Sequence, residues 1–155
     1  MKPFTAELVP VEIYELFIEI SQVLENLPDN PDVGNTASGN PFRVNPHVVT
    51  RAFSLVYKIP HVTGKYAGQN HTWLVFEDGK WIIDLMPFGT VGGPLLVLAD
   101  GPVSPGVLLY HSQERHRLQF AVCRDASQNA VSRLVALIRA EKKRFIRLSV
   151  SKQSL

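Results

Sequence analysis

The segment from His71 to Asp84 constrains the fold more than any other part of the sequence. Residues His71 to Phe76 read as a strand in which His71, Trp73 and Val75 share one face, and a Glu77–Lys80 turn containing Asp-Gly then directs the chain back towards Asp84. Side chains of a strand point alternately to opposite faces, and Asp-Gly between two apolar runs is a strong hairpin signal. The segment therefore predicts an antiparallel hairpin that brings residues 71 and 84 close together (84 − 71 = 13 positions).

A histidine and an aspartate brought together in this way are a pair that nucleophilic enzymes use. The imidazole accepts the proton of a cysteine or serine nucleophile, and a carboxylate on its other nitrogen fixes the tautomer and stabilises the imidazolium. We therefore predict that His71 and Asp84 are hydrogen bonded across the hairpin. His71 is the candidate general base and Asp84 the residue that orients it.

The sequence predicts two helices before the hairpin. Apolar residues recur at helical spacing from Ile13 to Leu27. A second helix is expected at Asn45, which can cap it, with Pro46 as its first residue and an apolar face that continues to Ile59-Pro60.

Further strands and a closing helix are expected after the hairpin. The expected strands are Leu95–Leu98, Val107–Tyr110 and Leu118–Cys123. Asp125 with Gln128 resembles a capping box for the last helix. The buried stripe of that helix is predicted to be Val131, Leu134, Val135, Ile138 and Phe145. This order predicts an α+β fold with an antiparallel sheet packed against N-terminal helices and a C-terminal helix.

The hairpin resembles the core of the transglutaminase-like superfamily, which shares the papain-like fold of cysteine proteases. In that family a strand beginning H-x-W leads through a D-G-x-W turn to a strand that ends in Asp-Pro or a close variant. The matching residues here are His71, Trp73, Asp78-Gly79-Lys80-Trp81, Asp84 and Pro87, with Leu85-Met86 between the aspartate and the proline. Upstream, Ile59-Pro60, Thr63-Gly64 and Tyr66 are similar to the segment that leads from the cysteine helix to the histidine strand.

The resemblance covers about half the chain and implies a single transglutaminase-like domain over residues 1–155. It also implies that Trp73 lines a substrate groove. The family places its nucleophilic cysteine at the start of the helix before the hairpin, where this chain has Asn45, Pro46 and His47. A helix N-terminus favours a thiolate, so the start of this helix is expected to face His71 even without the thiol.

Cys123 is the alternative nucleophile. It precedes the last helix and lies beside Arg124, and both a helix N-terminus and a neighbouring cation lower the pKa of a thiol. In permuted NlpC/P60-like enzymes the histidine strand comes before the cysteine helix, which is the order that Cys123 would require. The other interpretation is a buried strand cysteine, because Leu118, Phe120 and Val122 alternate and Cys123 falls on the opposite face.

Two functions follow as expectations. The first is a catalytically inactive, transglutaminase-like or papain-like domain that binds a peptide or a side-chain amide of a protein. The second is an active cysteine-type hydrolase or acyltransferase that uses Cys123, or a hydroxyl such as that of Thr50, with His71. No cofactor is expected, and none of the five histidines has a metal-binding spacing, so no metal is expected either.

Composition indicates where such a protein would work. With 45% hydrophobic and 19% charged residues, the chain is expected to be a soluble globular protein. The single cysteine cannot form an internal disulfide, which fits a reducing compartment. No export signal or membrane-spanning run is recognised, so a cytoplasmic location without membrane binding is expected. The same features are compatible with an effector protein that is injected into another cell.

Charge is distributed unevenly along the chain. Residues 1–114 contain 6 Lys+Arg and 12 Asp+Glu (6 − 12 = −6), and residues 115–155 contain 10 and 2 (10 − 2 = +8). A basic helix is usually a solvated face, and no nucleic-acid-binding motif accompanies these charges. The expected partner is therefore a peptide or protein rather than a nucleic acid, and the sequence does not indicate an oligomeric state.

The first prediction concerns the basic residues Lys142, Lys143, Arg144 and Arg147. If they form only a solvated face, the protein should pass through a DNA or RNA affinity column at physiological salt without retention. Phosphate binding by lysine and arginine weakens steeply as salt rises. Retention that falls as salt is raised would contradict this prediction.

Overall fold

The computed structural model describes residues 9–86, 93–98, 110–112 and 124–153. Its elements, in chain order, are α1 (Val11–Asn26), α2 (Pro46–Tyr57), β1 (His61–Tyr66), β2 (Gln69–Phe76), β3 (Trp81–Asp84), β4 (Leu95–Leu98), β5 (Tyr110–Ser112) and α3 (Arg124–Gln153). The α+β class predicted from the sequence is confirmed.

Both N-terminal helices form where the sequence predicts them. α1 buries Ile13, Ile20 and Val23 on one stripe. The Asn45 side chain caps α2 by accepting a hydrogen bond from the Val48 backbone N–H at 3.0 Å, with Pro46 as the first helical residue. The capping oxygen satisfies one of the N–H groups that a helix start leaves without an intrahelical partner.

The five described strands form one antiparallel sheet in the order β4-β3-β2-β1-β5. The predicted hairpin is its centre. A short 3₁₀ turn, Glu77–Gly79, joins β2 to β3, and the Lys80 N–H donates to the Glu77 carbonyl at 3.2 Å. Gly79 adopts φ +90°, a backbone conformation that side chains disfavour and that explains the glycine at this position.

The sequence pattern did not single out β1, because its polar residues face the helices. Thr63 pairs with Thr72 of β2, and their hydroxyl oxygens lie 3.1 Å apart. His61 Nδ1 lies 3.1 Å from the Ser54 hydroxyl of α2. A strand whose helix-facing side chains make such polar contacts lacks the apolar alternation by which strands are recognised in a sequence.

One face of the sheet packs against the helices and forms the main core. Leu74 of β2 pairs with Ile83 of β3, and both are fully buried in a cluster with Val49 and Phe53 of α2. Trp81 packs beside Val9 and Ile13, at the start of α1. We call this side of the sheet the helix face and the opposite side the open face.

α3 completes the core over its first half. Leu134 and Ile138 are fully buried, and Val131, Val135 and Phe145 pack against them, as the sequence predicts. The helix begins at Arg124, so Asp125 lies in its first turn rather than at the capping position. Towards its C-terminal end Lys143, Arg144 and Arg147 are exposed, together with Ile146 and Leu148.

Some sequence expectations lie outside the described residues. They are the strand Leu118–Cys123 and the first part of Val107–Tyr110, of which the structure describes Tyr110 as the start of β5. None of the helices in the described ranges combines the length and apolar character needed to cross a membrane.

The capping interaction of α2 gives the second prediction. Asn45→Ala should lower the free energy of unfolding by about 1 kcal/mol, the usual cost of losing a helix cap, as measured by urea denaturation. Asn26→Ala, at the exposed end of α1, is the control and should change the stability by much less. Equal effects of the two variants would show that the Asn45 side chain does not cap the helix.

Candidate functional site

His71 and Asp84 form the predicted pair, and both side chains are fully buried. His71 Nε2 lies 2.8 Å from each carboxylate oxygen of Asp84. An ionised carboxylate can only accept hydrogen bonds, so Nε2 must carry the proton. In the neutral imidazole the lone pair is then on Nδ1, which makes Nδ1 the basic nitrogen of His71.

Within the described ranges, Asp84 receives two further hydrogen bonds, one on each oxygen. The Met86 backbone N–H donates to Oδ1 at 3.2 Å, and the Tyr110 hydroxyl donates to Oδ2 at 2.7 Å. A buried carboxylate is costly unless such donors surround it. Burial and the negative charge of Asp84 raise the pKa of Tyr110 well above its usual range, so Tyr110 remains a protonated donor.

Aromatic side chains pack around the His71–Asp84 pair. The ring centroids of Tyr66 and Trp73 lie 5.7 and 6.2 Å from that of His71. Tyr110 packs against both, at 4.8 Å from Tyr66 and edge-on at 5.0 Å from Trp73. On β1 the residue paired with His71 is Gly64, which has no side chain, so the imidazole meets Tyr66 instead.

The hydrogen bond between Tyr110 and Asp84 shows that the sheet curls. β5 and β3 are separated by β1 and β2, and three strand spacings in a flat sheet amount to about 14 Å. A tyrosine and an aspartate side chain cannot span that distance between strands, whereas their oxygens are in contact. The open face is therefore concave at this point, and His71 lies within the concavity.

A groove of about 670 Å³ adjoins this cluster on the open face. Val62, Val75 and Ile82 line it together with Trp73 and Tyr110. Lys58 and Glu77, both exposed, contribute charged groups to its lining. Its volume lies in the range typical of ligand pockets.

The start of α2 does not face His71, which differs from the sequence expectation. His47 Nδ1 lies 2.5 Å from the hydroxyl oxygen of Thr72, whose side chain points to the helix face. Thr72 and His71 are consecutive residues of a regular strand, so their side chains point to opposite faces.

The sheet itself therefore lies between the start of α2 and the His71 side chain. Asn45 caps this helix and Pro46 is its first residue, next to the His47 that contacts Thr72 on the helix face. Thr50, the candidate hydroxyl, is also on the helix face and donates to the Thr72 carbonyl at 3.2 Å. The start of α2 lies on the other side of the sheet from His71 because the apolar residues Leu74 and Ile83 must face the helices. Side chains alternate along each strand, so His71 and Asp84 point to the opposite face.

Cys123 lies outside the described residues, so its position relative to His71 stays a prediction. In the part of the chain that the structure describes, no three histidine, cysteine or acidic side chains are grouped so that they could hold a metal ion.

Two residues of the site were not predicted from the sequence. Tyr110 was expected only as part of a strand, and Tyr66 only as part of the family-like segment. Their positions depend on Tyr66 pairing with Tyr110 between β1 and β5, a register between strands far apart in the sequence. The only sequence signal for them was a tyrosine in each of two extended segments.

Comparisons with known proteins give no match: neither the family models, nor the curated proteins, nor the solved structures contain one that is significantly similar to this chain.

The buried pair gives the third prediction. Replacing Asp84 with Leu leaves the His71 N–H and the Tyr110 hydroxyl without their acceptor, and replacing His71 with Phe leaves a buried carboxylate without its main partner. Each variant should lose about 3–5 kcal/mol of unfolding free energy in urea denaturation. The double variant should lose less than the sum of the two, because it removes both polar partners together. Additive losses would mean that the two side chains do not interact.

Proposed function

We propose that this chain is a peptide-binding domain with a hairpin similar to that of transglutaminase-like and papain-like enzymes, and that it has no cysteine catalysis at the start of α2. The observation that carries the proposal is the groove on the open face, bounded by Trp73 and Tyr110, beside a His71–Asp84 pair that no nucleophile of α2 can reach.

The lining of the groove supports a peptide as the ligand. Its apolar residues Val62, Val75 and Ile82 offer a surface for an apolar side chain or for the methylene groups of a side-chain amide. Lys58 provides a positive charge and Glu77 a negative charge. The two groups together suit the carbonyl and N–H groups of a peptide main chain and the polar side chains beside them. Trp73 and Tyr110 are of the residue types that dominate binding energy at interfaces.

The cysteine content supports binding rather than catalysis. The chain has a single cysteine, so any thiol chemistry falls to Cys123. His71 is fully buried and contacts the rings of Tyr66 and Trp73, whereas a general base must come within hydrogen-bonding distance of the group that it deprotonates. In this arrangement the pair acts as a buried polar core that fixes the shape of the concave face.

The fourth prediction is that peptides bind beside Trp73. The chain has two tryptophans, and Trp81 lies on the helix face, away from the groove. In NMR titrations with short blocked peptides carrying a central Leu or Gln, the indole N–H signal of Trp73 should shift saturably while that of Trp81 stays in place. Trp73→Phe assigns the two signals.

A matched pair of variants tests the location. Val75→Lys places a charged side chain in the groove and should weaken peptide binding roughly tenfold or more, because burying an unpaired charge is unfavourable. Val11→Lys, on the exposed start of α1, should leave binding unchanged. The proposal fails if no peptide shifts the Trp73 signal, or if the protein cleaves or transfers amide groups and loses this activity in Cys123→Ser.

A further inference from the structure

The hydrogen-bond donors around Asp84 are arranged symmetrically. Nε2 of His71 is equidistant from the two carboxylate oxygens, so the imidazole N–H meets the carboxylate along its axis. The Met86 N–H holds one oxygen and the Tyr110 hydroxyl holds the other. Rotation of the carboxylate would break contacts on both sides.

These two flanking donors differ in origin. The Met86 amide follows β3 directly, so its position relative to Asp84 is fixed by the local chain. Tyr110 comes from β5, at the far edge of the sheet, and reaches Asp84 because the sheet curls. Among the described residues, its hydroxyl is thus the one donor to Asp84 whose position depends on the tertiary fold beyond the hairpin.

We propose that Tyr110 is a positioning residue: its hydroxyl holds the Asp84 carboxylate in the orientation that keeps the proton of His71 on Nε2 and the lone pair on Nδ1. A carboxylate that is free to rotate would leave this arrangement, and its oxygens would no longer be held in place around the imidazole N–H. Hydrogen bonds to charged groups are the stronger class, so the Tyr110 hydroxyl is a substantial restraint on the orientation of the Asp84 carboxylate. This role does not depend on peptide binding in the groove.

The test is NMR of the histidine side chain in the full chain, with ¹⁵N-labelled histidine. In the wild type the nitrogen shifts should identify the tautomer with the proton on Nε2, and this proton should exchange slowly with water. Tyr110→Phe keeps the ring that packs on Trp73 and removes only the hydroxyl. It should speed exchange of the His71 Nε2 proton roughly tenfold or more, and should raise the population of the other tautomer.

Two further variants separate positioning from packing. Tyr14→Phe removes a hydroxyl from an exposed tyrosine of α1 and should leave His71 unchanged. Tyr110→Leu removes both ring and hydroxyl. If the hydroxyl positions Asp84, Tyr110→Phe should reproduce most of the change seen in Tyr110→Leu. The proposal is overturned if Tyr110→Phe retains the wild-type exchange rate and tautomer, whether or not Tyr110→Leu alters them.

Discussion

The pairing of Leu74 with Ile83 anchors the central hairpin on the helices, and the residues next to them in sequence have to point the other way. Both side chains are fully buried against the core that α2 and α3 complete. In a regular antiparallel pair a shift by one residue would move every side chain to the wrong face. The apolar contacts of two residues therefore determine that His71 and Asp84 lie on the open face, and the position of the candidate site follows from that.

On the open face, the buried His71–Asp84 pair needs an enclosure that the hairpin alone cannot supply. Two strands provide His71, Asp84 and Trp73, but water would still reach a flat hairpin. β1 and β5 contribute Tyr66 and Tyr110, and the curl of the sheet brings the Tyr110 hydroxyl to Asp84. Enclosure raises the energetic importance of each hydrogen bond, because a buried polar atom without a partner is costly. The same curl forms the walls of the adjacent groove.

The hairpin, the helices and the His71–Asp84 hydrogen bond could be predicted because each depends on local signals. Asp-Gly marks the turn, Asn45-Pro46 marks a helix start, and alternation brings residues 71 and 84 together. Local sequence signals could not predict which face of the sheet packs against α2. His71 and Leu74 lie on opposite faces of one strand, and only the tertiary packing of Leu74 decides which face meets the helix.

The resemblance to a papain-type site predicted that the start of α2 faces His71, and the structure places it on the other side of the sheet. The prediction was based on the position of a nucleophilic cysteine that the helix lacks. His47 instead binds the Thr72 hydroxyl and ties α2 to β2. Tyr110 was missed for a different reason. Its contact with Asp84 spans 26 positions in the sequence, and the curl that permits it is a property of the whole sheet.

The His71 side chain lies on the opposite side of the sheet from the start of α2. Nuclear Overhauser contacts from the His71 ring protons test it most directly. The structure predicts cross-peaks to the rings of Tyr66 and Trp73, and none to the side chains of Asn45, Pro46 or His47. Cross-peaks from His71 to Pro46 or His47, without those to Tyr66, would contradict this placement of His71. They would instead indicate a papain-type arrangement at the start of α2.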